Sequence, residues 1–151
     1  MGFNLLADGK QGEEEWGSMP PGALDWALRR WRLLEEMTTH RPDVLLLQEV
    51  DAHHFEAFLR PELSQAGYSG IFRQMPNSRP DGVAVFWATS RLSFVSCEGM
   101  ELQATAEAAL TATLEGQGLG LGRFVVASAH LKAGKDEASE RVREAQAREL
   151  L

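Results

Sequence analysis

The sequence predicts an α/β (α+β) fold in which helices lie outside β-sheet, and three observations support this fold class. Helical patterns at residues 23–40 and 52–66 flank a continuous apolar segment at 43–49. Shorter strand-like segments, separated by polar or glycine-rich loops, follow along the chain. The 151 residues, of which 44% are hydrophobic, are enough for one domain with a buried core.

The first predicted strand covers residues 1–6, an apolar segment that Asn4 alone interrupts. Residues 9–23 are a loop by composition because glycine, proline and serine punctuate them. This loop contains the three consecutive glutamates Glu13–Glu15. We interpret them as a solvated face rather than a metal site, because adjacent like charges repel one another.

The first predicted helix covers residues 23–40, and Pro42 ends it. Apolar residues at helical spacing should face the core: Leu24, Ala27, Leu28, Trp31, Leu34 and Met37. The arginines of this helix, Arg29, Arg30 and Arg32, fall mainly on its other faces. That placement favours an exposed helix surface over a phosphate-binding patch.

The second predicted strand, 43–49, has the continuous apolar run that is typical of burial on both faces. The second helix, 52–66, carries an apolar stripe, and Gly67 is suited to end it. Its adjacent histidines, His53 and His54, are predicted to lie on the solvent side.

The rest of the chain predicts mainly β-structure followed by a helix. Five strand-like segments are recognised by their apolar patterns: 68–72, 82–88, 93–102, 109–115 and 123–132. The glycine-rich stretch 116–122 joins the last two and predicts a hairpin, since it lacks the motif of a nucleotide-binding loop. The final helix begins after Asp136, a suitable N-cap, and has Val142, Ala145 and Leu150 at helical spacing.

Charge and cysteine content limit the classes of function. The net charge of −7 argues against loose electrostatic binding to nucleic acid, although a bound divalent cation would still permit a phosphate-bearing substrate. The single cysteine, Cys97, excludes an internal disulfide and fits a reducing compartment. The sequence shows no secretory signal and no apolar run of about 20 residues. We therefore expect an intracellular, cytoplasmic protein without a membrane partner.

Three of the predicted strands carry a polar residue where the strand reaches its end: Asn4, Glu49 and His130. Strand ends in layered α/β folds are common places for sites. Glutamate and asparagine supply the oxygen ligands that Mg²⁺ prefers, and histidine can stabilise charge on a phosphoryl group. The alternative is that Glu49 caps the helix that starts near Asp51, and the spacing alone leaves both interpretations open.

Four motifs occur in the order seen in a known superfamily: "FNLLA", "RPDVLLLQEVD", "RPDGVAVFW" and "SAHLKA". The final segment, "ERVREAQARELL", also matches that superfamily. The chain resembles the endonuclease/exonuclease/phosphatase superfamily, in its nocturnin and carbon-catabolite-repressor-type deadenylase branch. The resemblance implies the N-terminal half of a deoxyribonuclease-I-like β-sandwich, with one mainly antiparallel or mixed sheet and outer helices.

The resemblance also implies roles for residues of this sequence. Glu49 matches the principal magnesium-binding glutamate, with Mn²⁺ as an alternative ion, and Asn4 an asparagine that arranges metal and phosphate. His130 matches a catalytic histidine beside the scissile phosphate. The implied phosphate-binding residues are Lys132, Asp81 and Gly82, the last two in a "PDG" turn. The implied activity is that of a phosphatase or a 3′-exoribonuclease (deadenylase) acting on a phosphorylated nucleotide or an RNA 3′ end.

Residues 1–151 depart from the family pattern in ways that leave activity open. The later "GDFN" and "SDH" motifs do not occur, so we expect a partial domain that is inactive alone. The alternative is a non-catalytic remnant that acts as a binding module. Met75 and Gly134 stand where the branch has basic residues, so a preference between NADP(H) and polyadenylate does not transfer. With the second half missing, the inner face of the sheet should be exposed and promote self-association.

Overall fold

The computed structural model describes residues 1–8, 19–20, 22–118 and 120–151. Its strands are β1 (Gly2–Asn4), β2 (Val44–Asp51), β3 (Tyr68–Gln74), β4 (Asp81–Ala88), β5 (Leu92–Leu102), β6 (Glu107–Gly116) and β7 (Arg123–Ala129). Helix α1 is Trp26–Thr39 and helix α3 is Glu137–Glu149. Helix α2 runs through Ala52–His54, a π-helical turn at Phe55–Leu59, and Arg60–Gln65. The predicted order of helices and strands is confirmed.

The described strands form two sheets, with the orders β1-β2-β4-β3 and β5-β6-β7. Strand β1 pairs with β2 in parallel, and the other neighbours are antiparallel. The predicted hairpin is confirmed, since β6 and β7 pair from Ala109–Ala129 to Glu115–Arg123. The α/β fold class is therefore confirmed. The expectation of one sheet was wrong, because β5, β6 and β7 pair with one another and not with β1–β4.

A first hydrophobic core lies between the helices and one face of the four-stranded sheet. On β2 the alternate residues Leu45 and Leu47 are fully buried in this core, and on β4 Phe86 is. The predicted apolar stripe of α2 packs there and is buried as expected: Phe55, Phe58, Leu59 and Leu63. This core packs the helices against β2, the strand whose end carries Glu49.

A second hydrophobic core fills the space between the two sheets. It contains Val83, Val85 and Trp87 from β4, opposite Leu110 and Ala112 from β6. These side chains are all at most 6% exposed. The inner face of the four-stranded sheet was expected to be exposed, and this expectation was wrong because strands of the same chain cover it. The surface on which the predicted self-association rested is thus buried.

Helix α1 is shorter than predicted and turned to a different face. It starts at Trp26 because Asp25 caps it, with the Asp25 carboxylate accepting from Ala27 N at 2.8 Å. Leu28 and Trp31, predicted in the core, are 62% and 51% exposed. Leu34 and Met37 face the core as predicted, and Trp26 and Leu33, which were not predicted there, pack with them. Arg29, which was predicted to be exposed, is partly buried, with 14% of its side chain exposed.

The C-terminal helix begins as predicted. The Asp136 carboxylate accepts hydrogen bonds from Ser139 N at 2.9 Å and from Ser139 Oγ at 2.8 Å. These bonds to Ser139 hold the pKa of Asp136 below its ordinary value, because they favour the ionised carboxylate. Most of the predicted loop 9–23 and its glutamates lies outside the described residues. No helix in the described ranges is long and apolar enough to cross a membrane.

Candidate active site

Glu49 lies on a β-bulge in strand β2. The pairing of β2 with β4 shifts register between Gln48 and Val50, and Glu49 has a φ of +52°. A non-glycine residue in this left-handed region costs about 1–3 kcal/mol, and such strain concentrates at functional sites. Bulges also re-aim a side chain away from the alternation of the strand. The sequence "LLLQEVD" does not reveal the bulge, because its apolar run reads as a regular strand.

Asn4 meets Glu49 at the end of the parallel pair of strands. The register sets Asn4 opposite Gln48, so that Asn4 Nδ2 donates to Glu49 Oε1 at 3.0 Å. The Asn4 Oδ1 atom accepts from Leu6 N at 2.9 Å. Ala7 N donates to the second carboxylate oxygen, Glu49 Oε2, at 3.2 Å. Strand β1 and the residues after it therefore hold the carboxylate from one side.

His130 approaches Glu49 from the other sheet, directly after β7. Its Nε2 atom lies 3.4 Å from Glu49 Oε1. Ser128, almost fully buried, ties β7 to β2 by accepting from Gln48 Nε2 at 3.1 Å and donating to Leu47 O at 3.0 Å. The structure thus brings Asn4, Glu49 and His130 together. The N-cap of α2 is Asp51 and not Glu49, so the helix-cap interpretation of Glu49 is wrong.

Lys132 lies two residues beyond His130 on the exposed segment after β7. Both residues line a cavity of about 450 Å³, whose lining also includes Thr105 and Glu107. A cation beside His130 in an open cavity is placed where an anionic group could enter. The cavity therefore leaves room for a phosphate group beside Lys132, as the predicted role requires.

Asp81 and Gly82 belong to strand β4 and not to a turn, which corrects the expected position of the "PDG" residues. The Asp81 carboxylate is 4% exposed and accepts two hydrogen bonds from Arg79, at 3.1 and 2.9 Å. Arg79 also donates to Glu107 at 2.8 Å. Hydrogen bonding to Asp81 is the main cause that raises the pKa of Arg79 above its ordinary value.

Gly82 is buried where two strands approach closely. A Cβ atom at this position would lie 2.3 Å from the carbonyl oxygen of Arg73 and 2.6 Å from the Phe72 ring. The absence of a side chain is therefore a packing requirement of the sheet. Asp81 holds Arg79, which in turn donates to Glu107, a residue that lines the cavity beside His130.

A second group of candidate metal ligands was not predicted: Asp8, Asp51 and His54. Their ligand atoms all lie within 4.8 Å of one another. Asp51 Oδ2 accepts from Asp8 N at 2.9 Å, and Asp8 Oδ2 lies 2.8 Å from His54 Nε2. His54 stacks on Trp26 at 4.0 Å, so its predicted solvent-facing position was wrong. The sequence does not reveal this group, because Asp8 comes near Asp51 and His54 only when the segment after β1 packs against the start of α2.

The donor set fits a hard divalent cation. Glu49 presents a carboxylate that is 9% exposed, and Asp51 presents another two residues further along β2. Magnesium is usually held by one or two carboxylates together with waters and substrate phosphate.

The two packed sheets, the outer helices and the bulge that carries Glu49 define a protein of the deoxyribonuclease-I-like class. A family model described as Endonuclease/Exonuclease/phosphatase family matches residues 1–142. The chain belongs to this family, as the sequence motifs predicted.

Curated relatives support the predicted branch. Nocturnin of Rattus norvegicus and nocturnin of Homo sapiens are each 37% identical to this chain, over 100% of it and 37% of their own length. Carbon catabolite repressor protein 4 homolog 1 of Arabidopsis thaliana is 34% identical over 71% of the chain and 19% of its own length. The chain spans 37% of the length of the nocturnins that it matches.

Solved structures show the same fold. The human Nocturnin catalytic domain with bound sulfate anion has a TM-score of 0.74 and 35% identity, covering 98% of this chain and 54% of that domain. ANGEL2, a 2′,3′-cyclic phosphatase, in complex with adenosine-2′,3′-vanadate has a TM-score of 0.75 and 26% identity, covering 86% of this chain and 40% of that protein.

Proposed function

We propose that this chain supplies the metal-binding and phosphate-binding residues of a Mg²⁺-dependent phosphoesterase that acts on a phosphorylated nucleotide or an RNA 3′ end. The observation that carries the proposal is the strained Glu49, whose carboxylate is held by Asn4 and lies 3.4 Å from His130. Strain of this kind persists only where the surrounding structure enforces it. Membership of a phosphoesterase family and likeness to nocturnin support the same reading.

Glu49 would hold Mg²⁺, or Mn²⁺ in its place, through its carboxylate. A bound divalent ion polarises the phosphoryl group and stabilises the departing oxygen. Asn4 and Ala7 N–H fix the Glu49 carboxylate by hydrogen bonds, so that it is already oriented when substrate arrives. His130 donates from its ring to a phosphoryl oxygen, where negative charge increases during the reaction. Lys132 attracts the substrate phosphate from the cavity side.

The chain alone is expected to bind substrate better than it turns it over. In the resembled family, the "GDFN" and "SDH" motifs orient the attacking water and complete the catalytic set, and neither occurs in the 151 residues. Positioned nucleophile and general acid–base groups contribute large factors to rate. A substrate preference between NADP(H) and polyadenylate is left to experiment, because Met75 and Gly134 replace basic residues of the branch.

The test has two parts. Heteronuclear NMR and calorimetry measure the binding of Mn²⁺ and of AMP. Activity assays measure the release of phosphate or AMP from NADP(H) and from short polyadenylate. We expect Mn²⁺ to broaden the amide signals around Asn4 and His130, and Glu49→Gln to abolish this effect. The matched control is Glu98→Gln, an exposed carboxylate on β5. Equal broadening in the Glu49→Gln variant would refute the metal site. AMP binding with little or no turnover is the result expected of these 151 residues, because the "GDFN" and "SDH" motifs do not occur in them.

A further inference from the structure

Gln146 is a fully buried amide on the C-terminal helix α3, with 0% of the residue exposed. Sequence periodicity gives no reason for it, since glutamine is mostly an exposed residue. A buried amide is costly unless its donor and acceptor are both satisfied, and here both are. Gln146 Oε1 accepts from the backbone N–H of Lys132 at 2.9 Å, and Gln146 Nε2 donates to Thr105 Oγ1 at 2.8 Å.

The other side of the same peptide segment is held by Arg143, one helical turn earlier on α3. Arg143 Nη1 donates to Lys132 O and to Gly134 O, each at 2.8 Å. The N–H and the C=O of Lys132 are therefore both bonded to side chains of α3. Glu140 fixes the guanidinium through its Oε2 atom, which accepts from Arg143 Nε at 3.0 Å.

These contacts decide the geometry of the cavity beside His130. The cavity is lined by Ala104, Thr105 and Glu107, by the segment His130–Ala133, and by Val142 of α3. Gln146 bonds to two of the residues that line it, Thr105 and Lys132. The segment after β7 has no regular secondary structure of its own to hold it in place. Its position therefore depends on the side chains of α3.

We infer that Gln146, assisted by Arg143, is a positioning residue that holds Lys132 ready for the substrate phosphate. The inference rests on the proposed function, and it adds a named residue outside the Glu49 cluster that controls affinity for the phosphate group. A long lysine side chain loses conformational freedom when it binds, and a fixed backbone at its base reduces that loss. Gln146 would act on the phosphate indirectly, through its bond to the Lys132 backbone.

The first measurement needs no ligand. Hydrogen exchange of the Lys132 amide, relative to core amides of β6, reports directly on the bond to Gln146. We expect Gln146→Leu to raise this relative exchange, and Gln146→Glu, which keeps an acceptor oxygen, to restore protection. The control is Glu149→Leu, because Glu149 docks the same helix by accepting from Gln103 N and Ala104 N without touching Lys132. Unchanged exchange in Gln146→Leu would overturn the inference.

The second measurement is the affinity for AMP in the presence of Mg²⁺. We expect Gln146→Leu to weaken binding on the order of tenfold, as for loss of one well-placed hydrogen bond. In a Lys132→Ala background the same change should have little further effect, because residues that act as a unit are non-additive. Equal, additive losses would show that Gln146 acts only through general stability and would overturn the inference.

The two measurements separate the inference from the proposed function. Failure of the wild-type chain to bind AMP would contradict the proposed function, whatever the exchange of the Lys132 amide. Binding of AMP that is insensitive to Gln146→Leu would leave the proposed function standing and reject the positioning role. Thermal unfolding of each variant confirms that it is folded under the conditions of both measurements.

Discussion

The Nε2 atom of His130 lies 3.4 Å from Oε1 of Glu49, and this contact joins the two sheets at one edge of the sandwich. Glu49 comes from the end of β2 and His130 from the segment after β7, so they are brought together only by the packing of one sheet on the other. The bulge at Glu49 and the Ser128 bridge to Leu47 and Gln48 fix the two sides of the contact. The candidate metal site and the packing of the two sheets thus depend on the same few residues.

The first prediction concerns the backbone of Glu49. At φ = +52° glycine is unstrained and alanine is strained, so Glu49→Gly should be more stable than Glu49→Ala by about 1 kcal/mol. Both variants lose the carboxylate, so the difference between their free energies of unfolding reports the backbone strain. Urea denaturation measures this difference. The control is the same pair of changes at Gln48, where the extended strand should make the glycine variant the less stable one. A less stable Glu49→Gly would show that the bulge is relaxed.

The second prediction concerns Arg29 on α1. Its guanidinium donates to the carbonyl oxygens of Leu24, Leu5 and Leu6 at 2.9, 2.8 and 3.0 Å. Lysine cannot reproduce this forked geometry, so Arg29→Lys should lower the free energy of unfolding by about 2 kcal/mol. The change should also weaken metal binding, because the segment that Arg29 holds continues to Ala7, whose N–H donates to Glu49. Exposed Arg32→Lys is the control and should change stability by less than about 0.5 kcal/mol. Equal effects of the two changes would contradict the role of Arg29.

Much of the fold could be predicted because apolar periodicity is a local signal. The stripe of Phe55 and Leu63 identifies α2, and the run Leu45–Leu47 identifies β2. The rotation of α1 could not be predicted, since Leu28 and the true core residues lie on overlapping stripes. The second sheet was missed for a different reason, because strand pairing is non-local and the pattern of β5 says nothing about its partner.

The candidate site divides in the same way. Their positions at strand ends singled out Asn4, Glu49 and His130, the resemblance gave them roles, and the structure brings them together. Gln146 was not predicted, because its role depends on which residues α3 packs against, and sequence periodicity carries no information about that. Asp81 was assigned to a turn because "PDG" is turn-like, whereas pairing with Asp51 extends β4 through it.

The third prediction concerns the ion pair of Arg79 with the buried Asp81. Removing one partner of a buried pair leaves the other charge poorly compensated, so Arg79→Met should destabilise by about 3 kcal/mol. The control is Arg141→Met, which removes an exposed pair with Glu137, both side chains being more than 70% exposed. Such surface pairs contribute about 0–1 kcal/mol. Chemical denaturation at low and high salt measures the stability of both variants. Equal losses of stability in Arg79→Met and Arg141→Met would contradict the importance of the buried pair.

The fourth prediction concerns Tyr68, the single tyrosine of the chain. Its hydroxyl donates to Pro42 O at 2.8 Å, and burial, followed by the charge of Asp43, raises its pKa above the ordinary 10.0. Because the folded pKa is the higher one, the unfolded chain loses this proton first as the solution becomes alkaline. The stabilisation is therefore complete below about pH 10 and is lost as pH rises through the folded pKa.

Tyr68→Phe separates this titration from every other alkaline group, since those groups are common to both proteins. At pH 7 the variant should be less stable by about 1 kcal/mol, because the hydrogen bond to Pro42 is lost. Above pH 10 the difference in stability between the two proteins should shrink, because only the wild type has a buried phenol whose ionisation is unfavourable in the folded state. Urea unfolding from pH 8 to 11 measures the difference, and ultraviolet absorbance follows the phenol directly. A difference that stayed constant, with a phenol titrating at its ordinary value, would show that Tyr68 is not held as described.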